Sequence, residues 1–133
     1  MQDDLIAVTR RTGIRACSPN CEGYFNALGK VATTFSPTVE TQEDPNAVYV
    51  SDRRIGVIAQ SGGIGFALFN RGKAAGLAFS YVISTGNEAD LGMADFLDYM
   101  IEDPNTHAVM LFCEAVRKGP EFVAALEKAL AKQ

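Results

Sequence analysis

From residue 54 onward the chain alternates between two hydrophobic rhythms. "RIGVIAQS" (54–61), "LAFSYVIST" (77–85) and "HAVMLFCEA" (107–115) are compact apolar runs rich in β-branched and aromatic residues, the pattern of strands. Between and after them lie segments with apolar residues at helical spacing. "GGIGFALFNRGKAAG" (62–76) reads as a helix ending near Gly76, although Gly65 and Gly72 lower its intrinsic propensity. In "GNEADLGMADFLDYMIED" (86–103), Leu91, Ala94, Leu97 and Ile101 recur on one face, and Pro104 follows the end. "GPEFVAALEKALAKQ" (119–133) places Pro120 at the first helical position and makes a stripe of Phe122, Val123, Leu126 and Leu130. Strand and helix in strict alternation predict parallel βαβ units. Continuous apolar runs such as "VMLF" suit a sheet covered on both faces. The expected architecture is α/β: one doubly wound, mainly parallel sheet between helical layers.

The first fifty residues carry a weaker pattern. "DDLIAVTRRTG" (3–13) has Leu5, Ile6 and Thr9 at helical spacing and Gly13 at a left-handed helix end. "IRACS" (14–18) reads as a short strand. Residues 19–51 are irregular, with "VATTF" (31–35) and "AVYV" (47–50) as candidate short strands.

Composition narrows the function. With 133 residues, 47% of them hydrophobic and 21% charged, the chain can form one domain with a real core. A net charge of −4 lacks the basic surface that a nucleic acid or anionic membrane requires, so neither is expected as a partner. No apolar run reaches the roughly 20 residues that span a bilayer, and "MQDDLIAVTRR" has no signal-peptide core. Cys17, Cys21 and Cys113 are an odd set without the spacing of a disulfide framework. One cysteine pair and a single histidine also make a poor metal site, so no metal ligands are expected. Reduced thiols and a cytoplasmic location follow.

Candidate chemistry gathers where parallel strands end, because ligands bind beyond the carboxyl edge of such sheets. The three predicted strand tips, "AQSGG", "STGNEAD" and "FCEAVRKG", carry Gln60, Ser61, Asn87, Asp90 and Glu114. Asn87 and Asp90 are also good helix-start residues. "AQSGG" differs from the nucleophile elbow of serine hydrolases by one alanine and has the right strand–turn–helix setting. The required histidine could only be His107, which opens its strand whereas Ser61 closes another. Parallel strands of about six residues at ~3.3 Å each would leave the two roughly 20 Å apart, too far for a triad. An anion asks for less: Gly62 and Gly63 let the backbone approach a ligand, the helix beginning there presents free N–H groups, and Ser61 adds a hydroxyl. Neither the dinucleotide fingerprint nor the Walker lysine is present.

Several segments taken together resemble one family. "GIRACSPNCEGYFN" (13–26) is similar to the "GIRVLGPNCLGYIN" type of segment in nucleoside-diphosphate-forming acyl-CoA synthetases, relatives of the succinyl-CoA synthetase α subunit. "ATTFSP", "IGVIAQSGGIGFAL" and "YVISTGNEADLGMADFLDYMIEDPNTHAVMLFCEAVRKG" then follow in the family order. The likeness is to the second domain, a flavodoxin-like three-layer α/β/α CoA-ligase domain. It implies residues 1–13 as the last helix of a preceding CoA-binding domain and 14–133 as the flavodoxin-like domain. It further implies an ADP-forming ligase that joins an acid to CoA through an acyl-phosphate and a phosphohistidine. Ser61, Gly62 and Gly63 would hold the histidine-bound phosphate, and Glu114 would orient the histidine ring through one nitrogen. Asn20, Gln60 and Asn87 would line the same cavity.

The resemblance has gaps. Ser18 stands where the family usually has glycine, and Ala59 where it often has serine. The family's reactive histidine lies on a loop after the next strand, beyond "ALAKQ", and His107 occupies a position that the family leaves variable. The chain is therefore expected to be a piece that is inactive alone, holding no cofactor itself. In the parent it would work with CoA, ATP and Mg, and with CoA-binding and ATP-grasp domains of the same or a partner chain. Its ligand would be phosphate or an acyl-phosphate. Without the next strand, an open sheet edge invites homo-oligomers. The alternative is a non-catalytic ligand sensor fused to a protein acyltransferase, to which Ser18 and Ala59 lend weight.

Overall fold

A computed structural model describes residues 2–39 and 49–132. The chain forms α1 (Gln2–Thr12), β1 (Gly23–Asn26), β2 (Val31–Thr34), β3 (Arg54–Ala59), α2 (Gly62–Ala74), β4 (Ala78–Ser84), α3 (Met93–Glu102), β5 (Thr106–Phe112) and α4 (Gly119–Ala131). The sheet order is β2-β1-β4-β3-β5. β3 pairs in parallel with β4 on one side and β5 on the other. The β1–β2 hairpin extends the sheet antiparallel from β4. This is the expected flavodoxin-like, mainly parallel sheet.

Two apolar clusters divide the sheet faces. Phe25, Val57, Phe66, Phe69, Phe79 and Val82 pack under α2, and Ile58, Tyr81, Ile83, Met93, Leu97 and Met100 pack under α3. Strict alternation would place Phe79 and Tyr81 on the same face. They lie on opposite faces because β4 spends three residues, Phe79 to Val82, against the two from Ile55 to Val57 in β3. That bulge flips the side-chain parity halfway along β4. On the α2 side, Phe69 meets Phe25 at 5.5 Å and Phe79 at 5.1 Å, both edge-on; each such pair adds about 0.5–1.5 kcal/mol beyond its buried area. The helix glycines have a packing reason. A Cβ at Gly72 would stand 2.4 Å from Phe79 Cζ, and one at Gly65 would stand 3.0 Å from Ala59 Cβ.

Several local expectations need correcting. The strand buried along its whole length is β4, whereas the apolar β5 is a sheet edge with Met110 37% exposed. Residues 14–18 contribute only an isolated parallel bridge from Cys17 to Leu91, because the left-handed backbone at Ser18 (φ 104°) ends the extended run. β1 was not anticipated: its four residues bury only Phe25 and offer too short an alternation to see. α3 starts at Met93, so Leu91 precedes it and neither Asn87 nor Asp90 caps it. Of the stripe expected on α4 only Phe122 packs, against the cluster that buries Ala125, while Val123, Leu126 and Leu130 are exposed. The strand expected at 47–50 falls partly outside the described residues; Tyr49 and Val50 are irregular. α1 does end at Gly13 (φ 73°), whose N–H closes on Thr9.

Candidate functional site

Because β3, β4 and β5 are parallel, all three predicted tips lie on one rim, with the β3–α2 turn in the middle. Register places His107 beside the first residues of β3 and Ser61 just past its last, so the two stand at opposite ends of the sheet. A serine–histidine pair is excluded.

α2 begins without a side-chain cap. Ser61 is the N-cap residue, its hydroxyl makes no capping hydrogen bond, and no acidic residue lies in the first turn. The first intrahelical bond runs from Gly65 N to Ser61 O at 3.1 Å, leaving the N–H groups of Gly62, Gly63 and Ile64 without partners inside the helix. A Cβ on Gly63 would meet nothing within 4 Å, so this side of the helix mouth is open. The other side is not. A Cβ on Gly62 would lie 2.5 Å from Glu22 Cβ and 3.0 Å from Glu22 Oε2. The carboxylate of Glu22 therefore stands beside the positive end of α2. Nothing local in the sequence announced this contact, which depends on β1 pairing with β4.

The remaining expected ligands have other partners. Gln60, 8% exposed, accepts the N–H groups of Glu114 (2.7 Å) and Ala115 (2.8 Å) on Oε1 and donates from Nε2 to Ala115 O (2.7 Å). Asn20 donates to Asn87 Oδ1 at 3.2 Å, and Asn87 donates to Gln2 Oε1 at 3.2 Å. The structure thus brings Gln60, Ser61, Gly62, Gly63 and Glu114 to one stretch of rim and joins Asn20 to Asn87. The Glu114 side chain is exposed and makes no hydrogen bond or ion pair among the described residues.

The loop from β4 to α3 is interlocked with residues 15–20. Asn87 N bonds Pro19 O (2.8 Å), Ala89 N bonds Ser18 O (3.3 Å) and Leu91 N bonds Ala16 O (3.0 Å). Asp90 accepts from Ala16 N (2.8 Å) and Arg15 Nε (3.0 Å). The Arg15 hydrogen bond, more than any other contact, holds the Asp90 carboxyl below the usual aspartate range. Lys118 donates to Asp90 O (2.7 Å) and Asp95 Oδ2 (2.6 Å), fastening the start of α4 to the same loop. Cys17 is half-buried and donates to Ser84 O at 3.5 Å; burial, then the neighbouring Cys21, pushes its thiol up to about 12. All three cysteines are free. Among the described residues no three His, Cys, Asp or Glu side chains converge as metal ligands, and no helix is long and apolar enough to cross a membrane. A groove of about 990 Å³, lined by Tyr24, Tyr81, Ile83, Phe96 and Tyr99 among others, lies on the α3 side and includes none of the rim residues at 60–63 or Glu114.

Residues 52–133, more than half the chain, match the family model described as succinyl-CoA ligase like flavodoxin domain. The chain belongs to that family. Within it, the chain is 32% identical over 128 residues to a trans-feruloyl-CoA synthase from an unknown prokaryotic organism, covering 96% of this chain and 17% of that protein. It is 30% identical over 133 residues to the α subunit of acetate–CoA ligase (ADP-forming) I from Pyrococcus furiosus, covering all of this chain and 27% of the subunit. A solved structure of a dinucleotide-forming acetyl-coenzyme A synthetase 1 from Ca. Korarchaeum cryptofilum, in complex with phosphate and ADP, superposes with a TM-score of 0.81 at 28% identity. That match covers 96% of this chain and 26% of the synthetase. The chain thus spans about a quarter or less of the length of these relatives. Its family-defining part is the β3–α4 region, whose alternation the sequence displayed.

Proposed function

We propose that this flavodoxin-like domain serves an ADP-forming acyl-CoA ligase by seating a phosphoryl group at the amino end of α2. Ser61, Gly62 and Gly63 are the seat, and Glu114, on the neighbouring strand tip, orients a phosphorylated histidine supplied by another segment. ATP, CoA and magnesium would act in the parent through its CoA-binding and ATP-grasp domains. The observation that carries the reading is the uncapped mouth of α2 with open space at Gly63, on the same rim as Glu114. The dipole and free amides favour negative charge there, and a carboxylate bonded to one imidazole nitrogen selects the tautomer that exposes the other.

Glu22 favours a second reading, a sensor without phosphoryl transfer, because its carboxylate adds like charge beside the seat. A titration tests the seat that both readings share, and labelling of the parent separates them. In ¹⁵N spectra, inorganic phosphate is expected to shift the amides of Gly62, Gly63 and Ile64. Glu22→Gln should tighten binding about two- to fivefold, from removing one unit charge across solvent-screened distance. Amides unmoved by tens of millimolar phosphate in both proteins would overturn the seat. In the full-length parent, Glu114→Gln is expected to abolish phosphohistidine labelling if the domain serves catalysis, and full labelling would remove that role.

A further inference from the structure

Gln60 was expected to line the cavity, but its geometry gives it different work. Its side chain is 8% exposed and each polar atom is bonded to the backbone of a single turn, the one after β5. The same residue's own N–H bonds Phe112 O at 3.0 Å, continuing the β3–β5 ladder by one rung. Gln60 immediately precedes Ser61, the N-cap of α2. One residue therefore holds both the helix mouth, through its main chain, and the backbone of Glu114, through its amide. The acidic tip has no other hydrogen bond to the β3–α2 turn, since the Glu114 side chain is exposed and without a partner among the described residues.

We infer that Gln60 is a positioning residue that couples the Glu114 turn to the amino end of α2, so that occupancy of the helix mouth is felt at Glu114. The inference rests on the phosphate reading above and adds a residue that touches no ligand. A glutamine suits the task because its planar amide accepts two N–H groups on one oxygen while donating from nitrogen to the Ala115 carbonyl that follows them. No hydrocarbon can replace that, and a carboxylate would lose the donor and face Ala115 O with like polarity. Burial makes the bonds matter more, because each one removed leaves a backbone group unsatisfied beside the sheet.

The test uses the whole 133-residue chain with ¹⁵N labelling and inorganic phosphate as the probe. Gln60→Met keeps the volume and removes all three bonds; Gln60→Glu keeps the two acceptor bonds. In the wild type, phosphate should move Glu114 and Ala115 amides along with Gly62 and Gly63. In Gln60→Met, Gly62 and Gly63 should still respond with an affinity within twofold of wild type, while the Glu114 response is lost. The Glu114 and Ala115 amides should also exchange with solvent at least tenfold faster. Gln60→Glu should keep most of the Glu114 response, which a merely space-filling residue would not explain. An undiminished Glu114 response in Gln60→Met, or faster exchange with that response intact, would overturn the coupling while leaving the seat standing. Silence at Gly62 and Gly63 in the wild type is a different signature and would take down the seat and the coupling together.

Discussion

The turns that follow β3 and β4 share a rim and are built in opposite ways. After β3 the chain enters α2 within two residues, carries no capping side chain and leaves open space at Gly63. After β4 it wanders from Thr85 to Gly92, and its backbone and side chains are bonded to residues 15–20, to Gln2 and to Lys118. Thr85, Glu88 and Met93 close the loop on themselves: Glu88 Oε1 accepts from Thr85 Oγ1 at 2.8 Å and from Met93 N at 3.0 Å. The comparison shows that a polar residue at a strand tip is not thereby a ligand. On this rim the paired amides of Asn20 and Asn87 make a scaffold, and the main chain at the start of α2, without partners inside the helix, is where we propose the seat.

The largest effect should come from breaking the interlocked side. Gly86 has φ 58°, and a Cβ there would stand 2.4 Å from Pro19 O and 2.5 Å from Asn20 O. Both neighbours are backbone and cannot swing aside. Gly86→Ala should therefore cost roughly 2–4 kcal/mol, from left-handed strain together with the clash. Urea unfolding of the chain measures this. A midpoint unchanged from wild type would mean that the two loops are not locked as described.

The open side gives a smaller and more discriminating test, because its two glycines should respond with opposite signs. Gly62→Ala would drive a methyl against Glu22 Cβ at 2.5 Å and should cost about 1–3 kcal/mol, the usual range for overpacking. Gly63→Ala meets nothing within 4 Å and adds helix propensity, so it should gain about 0.5 kcal/mol. Equal losses at both positions would show that the mouth of α2 is closed on each side, contrary to the comparison.

How much of this was legible follows from what is local. The alternation after residue 54 fixes β3, β4, β5 and their helices, because each element announces itself within its own window. The short β1 could not be seen, since four residues acquire meaning only when paired to β4. The edge position of β5 was hidden because "VMLF" is as apolar as a central strand; the difference lies in whether another strand adds beside it. The parity flip in β4 has no sequence signal either, as it is visible only against β3. At the site, spacing found the glycine turn and Glu114. It could not tell that Gln60 is bonded to the β5 turn or that Glu22 stands by Gly62, because both contacts join segments distant in sequence.

The smallest expected effect concerns the charge that clasps the interlocked side. Asp90 is held below its ordinary value chiefly by the Arg15 hydrogen bond and also by Ala16 N and Lys118. A carboxyl lowered in the folded state stabilises the fold fully above its unfolded value, about 3.9 for aspartate. That contribution fades as the pH falls through the folded value. Wild type should thus be more stable than Asp90→Asn at pH 6, and the gap should narrow steadily below about pH 4 as the wild-type carboxyl takes up its proton. Arg15 is exposed and the pair is screened, so the gap should also shrink in high salt. The β3–α2 turn contains no ionisable side chain, and Gly63→Ala should keep its small gain across the same pH range. A gap between wild type and Asp90→Asn that persists undiminished at pH 3 would show that Asp90 acts through neutral hydrogen bonding alone. The ionic clasp on this side of the rim would then be absent, and the contrast with the open turn would rest on the main-chain bonds to residues 16–19.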